Sequence, residues 1–530
     1  MFRILVTDKL DAEGVEILKR YKEFEVVEKE TLKGDALIQE LKGYDAIIVR
    51  SETKLTKEVL EASDGLKIIA RAGVGVDNID VPTAIKKGIV VVNAPSGNTV
   101  STAEYTFAMM IALARKIPFA HLSMQQKVWD RKSFKGVELF NKTIGIIGLG
   151  RIGTEVAKRA RAFGMKVLAY DPYLSEEAAQ KLEIELASLE KIYQESDFIT
   201  VHTPLTDATR GLIGKKEIEM MKKSVRIINC ARGGIIDELA LAEALKSGRI
   251  AGAAVDVYSK EPPFDVGNPL LDAPNCILAP HLGASTAEAQ YNVAIESAEA
   301  VANFLLHGMI VNSVNMPSVS KEDFNRLKAF IQLSERIGSM MGQLLTGQLE
   351  AVKIVGHGEI SSKDLNLLSR SVLKGLFTPI LGDAVNYVNS LPTAQSRGIK
   401  VEEVRDEGEC EYTNLLKVIV KSDTDQIELW GTVYAQTHGK IVNFNNYFFE
   451  ATPVGNMIII SNDDVPGVVG KVGTILGEKG INIASMHVGR KKETQKALIL
   501  VLIDQKPDVA VIEQLKTIPG VNKVKFFVLD

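Results

Sequence analysis

Three short stretches in the middle of the chain carry side chains suited to acid–base and anion chemistry. "NCARGGIID" presents Arg232, "SKEPP" presents Glu261, and "APHLGAS" presents His281, one of only seven histidines among 530 residues. An arginine grips a carboxylate through two parallel N–H bonds and polarises the neighbouring oxygen. A histidine accepts a hydroxyl proton near neutral pH, and a carboxylate beside it fixes its tautomer. Each residue alone has a plainer reading: Arg232 as a surface ion pair, Glu261 as a solvated loop acid, His281 as a capped loop residue. Together they suit the oxidation of a 2-hydroxy acid, in which a carbon gives up a hydride and its hydroxyl gives up a proton. Nothing in the set calls for a metal.

A hydride needs an acceptor, and "TIGIIGLGRIGTEVAKRARAFGMKVLAYD" supplies the signature of one. Gly148, Gly150 and Gly153 form G-x-G-x-x-G between a strand-like run and a helical one. These glycines permit a tight turn, close approach of a pyrophosphate, and close helix–strand packing, while the helix start offers free N–H groups. Asp171 stands at the end of the next strand-like run, where its carboxylate accepts from ribose hydroxyls and repels a 2′-phosphate. The expected cofactor is therefore NAD.

These residues need a scaffold that brings strand ends to one edge. From Phe2 to about Asn98, apolar runs such as "RILVTD", "DAIIVR", "LKIIAR" and "IVVVNA" alternate with amphipathic stretches, the pattern of a parallel sheet covered by helices. The helical stretch "STAEYTFAMMIALARKI" leads into a second such series, with Arg232, Glu261 and His281 each following a strand. A helix from about Ser285 to Leu306 comes next. A boundary falls near residue 316, and the region from about Ser318 to Glu450 reads as α+β with no reactive cluster. The last residues read β-α-β-β-α-β, the ferredoxin-like split unit. The expected fold is α/β, with two Rossmann/flavodoxin-like doubly wound domains, an α+β intervening domain and a C-terminal ferredoxin-like domain. The expected division is 1–98 with 283–316, 99–282 for NAD, 317–451, and 452–530.

Composition narrows the partners. The 63 basic and 67 acidic residues leave a net charge of -4, so no footprint for nucleic acid or an anionic membrane stands out. No apolar run approaches a membrane span. Cys230, Cys276 and Cys410 are odd in number and widely spaced, which suits a reducing compartment. "MFRILVTD" enters a strand-like run at once, without a signal peptide, and the cytoplasm is the expected location.

The stretches "RAGVGVDNID", "GLGRIG", "NCARGGIIDE", "SKEPP" and "PHLGAST" together resemble the D-isomer-specific 2-hydroxyacid dehydrogenases, and the resemblance extends over essentially the whole chain. It implies Arg232 for substrate binding and catalysis, and His281, supported by Glu261, as general acid/base. It implies NAD contacts at Arg151, Ile152, Asp171, Thr203, Cys230, Ala231, Arg232, Asp256, His281, Gly283 and Ala284, besides Gly148, Gly150 and Gly153. The backbone at Gly73, Val74 and Gly75 is expected to meet the substrate carboxylate.

Phosphate recognition decides the substrate. Arg50 and Lys54, in "IIVRSETK", supply cations at a first-domain strand end. Arg131, in "VWDRKSF", approaches a neighbouring subunit's site in the resembling family. "GLFTPILGDAVNYVN" is similar to the intervening domain of the long phosphoglycerate-oxidising branch. "NDDVPGVVGKVGTILGEKGINIAS" resembles the ACT module, which binds amino acids at paired interfaces. The resemblance thus implies oxidation of 3-phospho-D-glycerate to 3-phosphohydroxypyruvate on the route to L-serine, in a homotetramer or dimer. It implies L-serine as effector near Asn462, Asp464 and Asn482, and a back reaction on 2-oxoglutarate in some members. Relatives carry histidine or tyrosine where this chain has Asn462. Other readings stay open: a D-2-hydroxyacid dehydrogenase acting on glycerate or a keto acid, an NAD-sensing interaction protein of the corepressor type, and a tail that only oligomerises.

Overall fold

The computed structural model describes residues 1–317, 321–362, 365–408, 410–435, 437–491 and 493–529. Residues 318–320, where the intervening domain is expected to begin, lie outside this set.

The first parallel sheet contains β1 (Phe2–Val6), β2 (Phe24–Glu28), β3 (Ala46–Val49), β4 (Ile68–Arg71) and β5 (Val90–Asn93), in the order β2-β1-β3-β4-β5. The second contains β6 (Thr143–Ile147), β7 (Lys166–Tyr170), β8 (Glu185–Leu186), β9 (Phe198–Val201), β10 (Arg226–Asn229), β11 (Gly252–Val255) and β12 (Cys276–Leu278). Its order is β12-β11-β10-β9-β6-β7-β8. The central strands of both are fully buried apolar runs, as a sheet covered on both faces requires. Each sheet reverses its winding once, between β1 and β3 in the first and between β6 and β9 in the second. Crevices open at the carboxyl ends of strands at such points, and Arg50 and the Gly148 turn lie there.

After β12 the chain returns to the first sheet. The helix Ala287–His307, capped by Thr286, packs on the helix Ala12–Lys19 and on β4. Ser313 then bridges to Val92, and the Asn315 side chain bonds to both Ile89 and Val91 along the β5 edge.

The third sheet is mixed: β13 (Leu349–Gly358), β14 (Lys400–Asp406), β15 (Asn414–Ser422), β16 (Gln426–Tyr434), β17 (His438–Phe444) and β18 (Tyr447–Ala451), in the order β14-β13-β15-β16-β17-β18. The fourth is antiparallel: β19 (Gly455–Asp463), β20 (Ile483–Lys491), β21 (Lys496–Ile503) and β22 (Val521–Leu529), in the order β20-β21-β19-β22. Helices Val468–Glu478 and Val509–Lys516 complete the β-α-β-β-α-β unit. One face of this last sheet, with Met457, Leu500 and Phe527, joins the core of the intervening region. That same core runs on through Leu327, Met316 and Val301 to Val92 and Ile4 of the first sheet. Among the described residues no helix is long and apolar enough to cross a membrane.

Candidate active site

β10 ends at Asn229, whose side chain sets the turn that follows it. Its amide donates to the Arg232 carbonyl at 3.0 Å, and its oxygen accepts from Ala231 N–H at 3.1 Å. The Arg232 guanidinium donates from Nη1 to Ala231 O at 2.7 Å and from Nε to Asp77 of the first domain at 3.1 Å. Glu261 follows β11, and Tyr258 N–H donates to its Oε1 at 3.1 Å. Glu238 accepts from the backbone and hydroxyl of Ser259 at 2.6 and 2.9 Å and from Asn268 at 2.5 Å, so it braces the same loop.

The Glu261 carboxylate lies 2.9 and 3.1 Å from His281 Nδ1. Both side chains are about half exposed, at 40% and 50%, so a substrate can reach them. Burial works to raise the Glu261 carboxyl, but the hydrogen bond and charge of His281, with Tyr258 N–H and Arg232, outweigh it and hold it below its ordinary value. His281 adopts φ +57°, left-handed backbone that costs a side-chain-bearing residue roughly 1 kcal/mol. Its N–H donates to Asp256 O at 2.9 Å, and the fully buried Asp256 carboxylate accepts from Leu282 and Gly283 at 2.8 and 2.9 Å. Burial raises the Asp256 carboxyl despite those two donors. Asp256 is expected as an NAD contact; here both its oxygens anchor the His281 loop. His202, whose carbonyl lies against the cofactor turn, is pushed down to about 4 by burial and so stays neutral.

The cofactor turn fits a dinucleotide. Gly148 takes φ +97°, and a Cβ there would press on the His202 carbonyl at 2.7 Å. A Cβ on Gly153 would overlap the Gly148 carbonyl, so only glycine lets the helix Arg151–Ala162 start so close to the strand. At Gly150 the space is open and no side chain caps the helix, which leaves the N–H groups of its first turn available to a phosphate. Thr203 Oγ1 is buried without a hydrogen-bond partner beside the turn, a hydroxyl ready for a ligand. Asp171 accepts from Leu149 N–H at 2.8 Å and from Tyr173 N–H at 2.9 Å, which holds the turn to the end of β7. Ile152 packs into the domain core, and the Cys230 thiol is buried and raised, so neither is a reactive group.

The opposite wall belongs to the first domain. Asp8, after β1, accepts from Arg50 N–H and Thr53 N–H at 2.9 Å each, and Asn78 donates to the carbonyls of Arg50 and Thr53. Arg50, Lys54, Gly73 and Gly75 thus face Arg232, Glu261, His281 and Ala284 across one cleft of about 640 Å³. Arg71 and Asp77 line it too. Neither stands out in the sequence, although "LKIIAR" ends in arginine as "DAIIVR" does.

Some expected residues lie elsewhere. Val74 is not on the cleft wall; its carbonyl accepts from Asn93 at 2.6 Å. Arg131 is exposed in the loop after the helix Ile117–Gln125 and is absent from this chain's cleft. The three effector candidates do not converge. Asn462 is buried and donates to Asp463 O, and Asp464 pairs with Arg490 at 2.7 Å. Asn482 bonds Asp504 at 2.6 Å, at the opposite end of the sheet, where Ile483 pairs with Ile503 while Asp463 pairs with Lys496.

Comparison with known proteins places this geometry. The family model described as "D-isomer specific 2-hydroxyacid dehydrogenase, NAD binding domain" matches residues 107–283. Those for the D-3-phosphoglycerate dehydrogenase intervening domain and the ACT domain match 326–445 and 456–520. The chain is 42% identical over 525 residues to D-3-phosphoglycerate dehydrogenase of Bacillus subtilis, covering 99% of each. It is 44% identical over 521 residues to that of Archaeoglobus fulgidus, covering 98% of each. Among solved structures, D-lactate dehydrogenase from Aquifex aeolicus, complexed with NAD and lactic acid, is 31% identical with a TM-score of 0.52, covering 59% of this chain and 100% of its own. The chain belongs to the D-3-phosphoglycerate dehydrogenases, NAD-dependent oxidoreductases within the D-isomer-specific 2-hydroxyacid dehydrogenase family.

Proposed function

We propose that this chain oxidises 3-phospho-D-glycerate to 3-phosphohydroxypyruvate, the opening step of a phosphorylated route to L-serine. The observation that carries this is the paired wall: Arg232 with the Glu261–His281 couple on one side, Arg50 and Lys54 on the other. Bound NAD supplies the acceptor for the hydride that leaves C2. Arg232 and the backbone at Gly73 and Gly75 hold the carboxylate next to that carbon, which requires Asp77 to yield its place on the guanidinium. His281 accepts the hydroxyl proton at Nε2, the nitrogen left free because Nδ1 faces Glu261. Glu261 keeps that tautomer and stabilises the imidazolium as it forms. Arg50 and Lys54 bind the phosphate. The two parallel-sheet domains, 1–98 with 283–316 and 99–282, close on the substrate, and the regions 317–451 and 452–530 regulate.

The reading extends to assembly and control. The helix Ile117–Gln125 buries no residue, and Leu122, Met124 and Trp129 are 53%, 53% and 77% exposed beside Arg131. A face this apolar supports a homo-oligomer in which Arg131 serves a neighbouring site. L-serine is the proposed effector; since Asp464 and Asn482 sit at opposite sheet ends, one serine meets both only between two copies. The cytoplasm is the proposed location, and 2-oxoglutarate reduction a proposed back reaction.

The test is a steady-state assay of NADH formation with 3-phosphoglycerate, glycerate and lactate, with and without L-serine. A strong preference for 3-phosphoglycerate supports the reading. Equal rates on glycerate overturn the phosphate assignment, NAD binding without turnover overturns the enzyme, and indifference to serine overturns only the effector.

A further inference from the structure

Arg232 belongs to the NAD-binding domain, but its guanidinium crosses the cleft to the first domain. Nη1 is tied to Ala231 O of its own turn at 2.7 Å, while Nε donates to Asp77 Oδ2 at 3.1 Å. Nε and Nη2 together form the side of the fork along which a carboxylate takes two parallel N–H bonds. Nη2 lies against Gly75, where a Cβ would overlap it and would stand 2.8 Å from the same Asp77 oxygen. The Asp77 carboxylate therefore sits between the guanidinium and the Gly75 backbone, in the space that the substrate's own carboxylate is to take.

The other acids of the cleft are engaged elsewhere: Glu52 accepts from Thr31 at 3.0 Å, and Glu261 faces His281. Burial, then Arg232 and Arg50, pull the Arg71 guanidinium down to about 10, and the charge of Asp77 works against them. Asp77 is thus the acid that answers the cations of this wall. It is also the more mobile half of its pair, with a side chain 72% exposed against 28% for Arg232. We propose that Asp77 is a resident carboxylate, a positioning residue that keeps Arg232 turned to the cleft and competes with substrate for it. This rests on the assignment of Arg232 to the substrate carboxylate. Arriving substrate exchanges one carboxylate for another on Nε, and Asp77 takes the guanidinium back as the product's carboxylate leaves. A ligand that brings no carboxylate of its own cannot make the exchange.

The test is the steady-state kinetics of the full-length protein and of Asp77→Asn and Asp77→Ala, with acetate as a competitive probe at constant ionic strength. An exposed ion pair of this kind corresponds to a factor of about 1.5 to 5. KM for 3-phosphoglycerate and the inhibition constant of acetate should both fall by that factor in the variants, without a matching rise in kcat. A carboxylate that only supports the loop has the opposite sign, because a disordered Arg232 raises KM. Titration of NADH fluorescence reports whether each variant is folded; should one bind no NADH, the other carries the test. Constants that rise or hold at their wild-type values overturn the Asp77 assignment, and so does a fall in KM alone, because the gain then lies outside the carboxylate's seat. A wild type that oxidises glycerate as well as 3-phosphoglycerate overturns the phosphate assignment instead, and the Asp77 comparison is then read with glycerate, which carries the same carboxylate. A wild type that turns over neither overturns the substrate reading and this inference with it.

Discussion

Replacing Glu261 by alanine and by glutamine separates two roles of its carboxylate. Alanine removes the charge facing His281. With nitrogen–oxygen contacts of 2.9 and 3.1 Å, the charge centres lie about 4 Å apart, and both groups are about half exposed. An effective dielectric of roughly 40 then gives about 2 kcal/mol of lost support for the imidazolium, on the order of 30-fold in kcat/KM. Glutamine loses the same charge and adds a misplaced donor. Its oxygen, at the Oε1 position, still accepts from Tyr258 N–H, which turns its amide toward Nδ1 at the Oε2 position. Donating there puts the proton on Nε2, the nitrogen that must be bare to receive the substrate's proton. Breaking that bond costs roughly 1 kcal/mol more, another fivefold or so. Glu261→Gln should therefore be slower than Glu261→Ala, with NADH affinity within twofold of wild type in both. Steady-state kinetics with 3-phosphoglycerate checks the order. A glutamine variant as fast as the alanine one refutes the tautomer argument, and a loss under threefold in both refutes the electrostatic one.

Other substitutions test the scaffold. Gly153→Val forces a side chain into the Gly148 carbonyl and should weaken NADH binding by roughly 100-fold, as read by fluorescence titration. Asp256→Ala strips two backbone N–H groups of a buried carboxylate partner, which costs on the order of 3 kcal/mol and should lower both kcat and the calorimetric melting temperature by several degrees or more. His281→Asn should abolish turnover while leaving NADH affinity intact. Glu261 is held below 4.5 in the fold, so its ionised form contributes stability above that pH and loses it as pH falls through the depressed value. The melting gap between wild type and Glu261→Gln should accordingly be present at pH 6 and close in stronger acid.

Much of the site was legible because each reactive residue follows a strand with an apolar run before it and glycine or proline after it. Arg232, Glu261 and His281 are placed by β10, β11 and β12, whose parallel order puts their ends side by side. What escaped depends on geometry at a distance. Asp77 meets Arg232 across 155 positions, a pairing that local pattern does not encode. Asp256 reads as an NAD contact, while its hold on the loop that carries His281, 26 and 27 positions away, is not encoded in local pattern. Arg71 sits at the boundary of an apolar run, where an arginine usually snorkels to solvent; only the Gly73 turn folds over it. The effector candidates fall in one recognisable stretch, yet the helix between them carries the chain from one end of the last sheet to the other. The four-sheet division itself followed from periodicity, whereas the single core shared by the first, third and fourth sheets did not.

That shared core bears on how the protein can be dissected. Cutting the chain after Pro317 would leave both parallel sheets and every residue of the cleft in place. It would also strip the cover from Ile310 and Met316 on the first domain and, in the other fragment, from Phe324 and Ile331, which line one cavity with them. The catalytic half is thus complete in its chemistry but not in its surface, and a truncated form would be limited by aggregation and lifetime before it was limited by turnover.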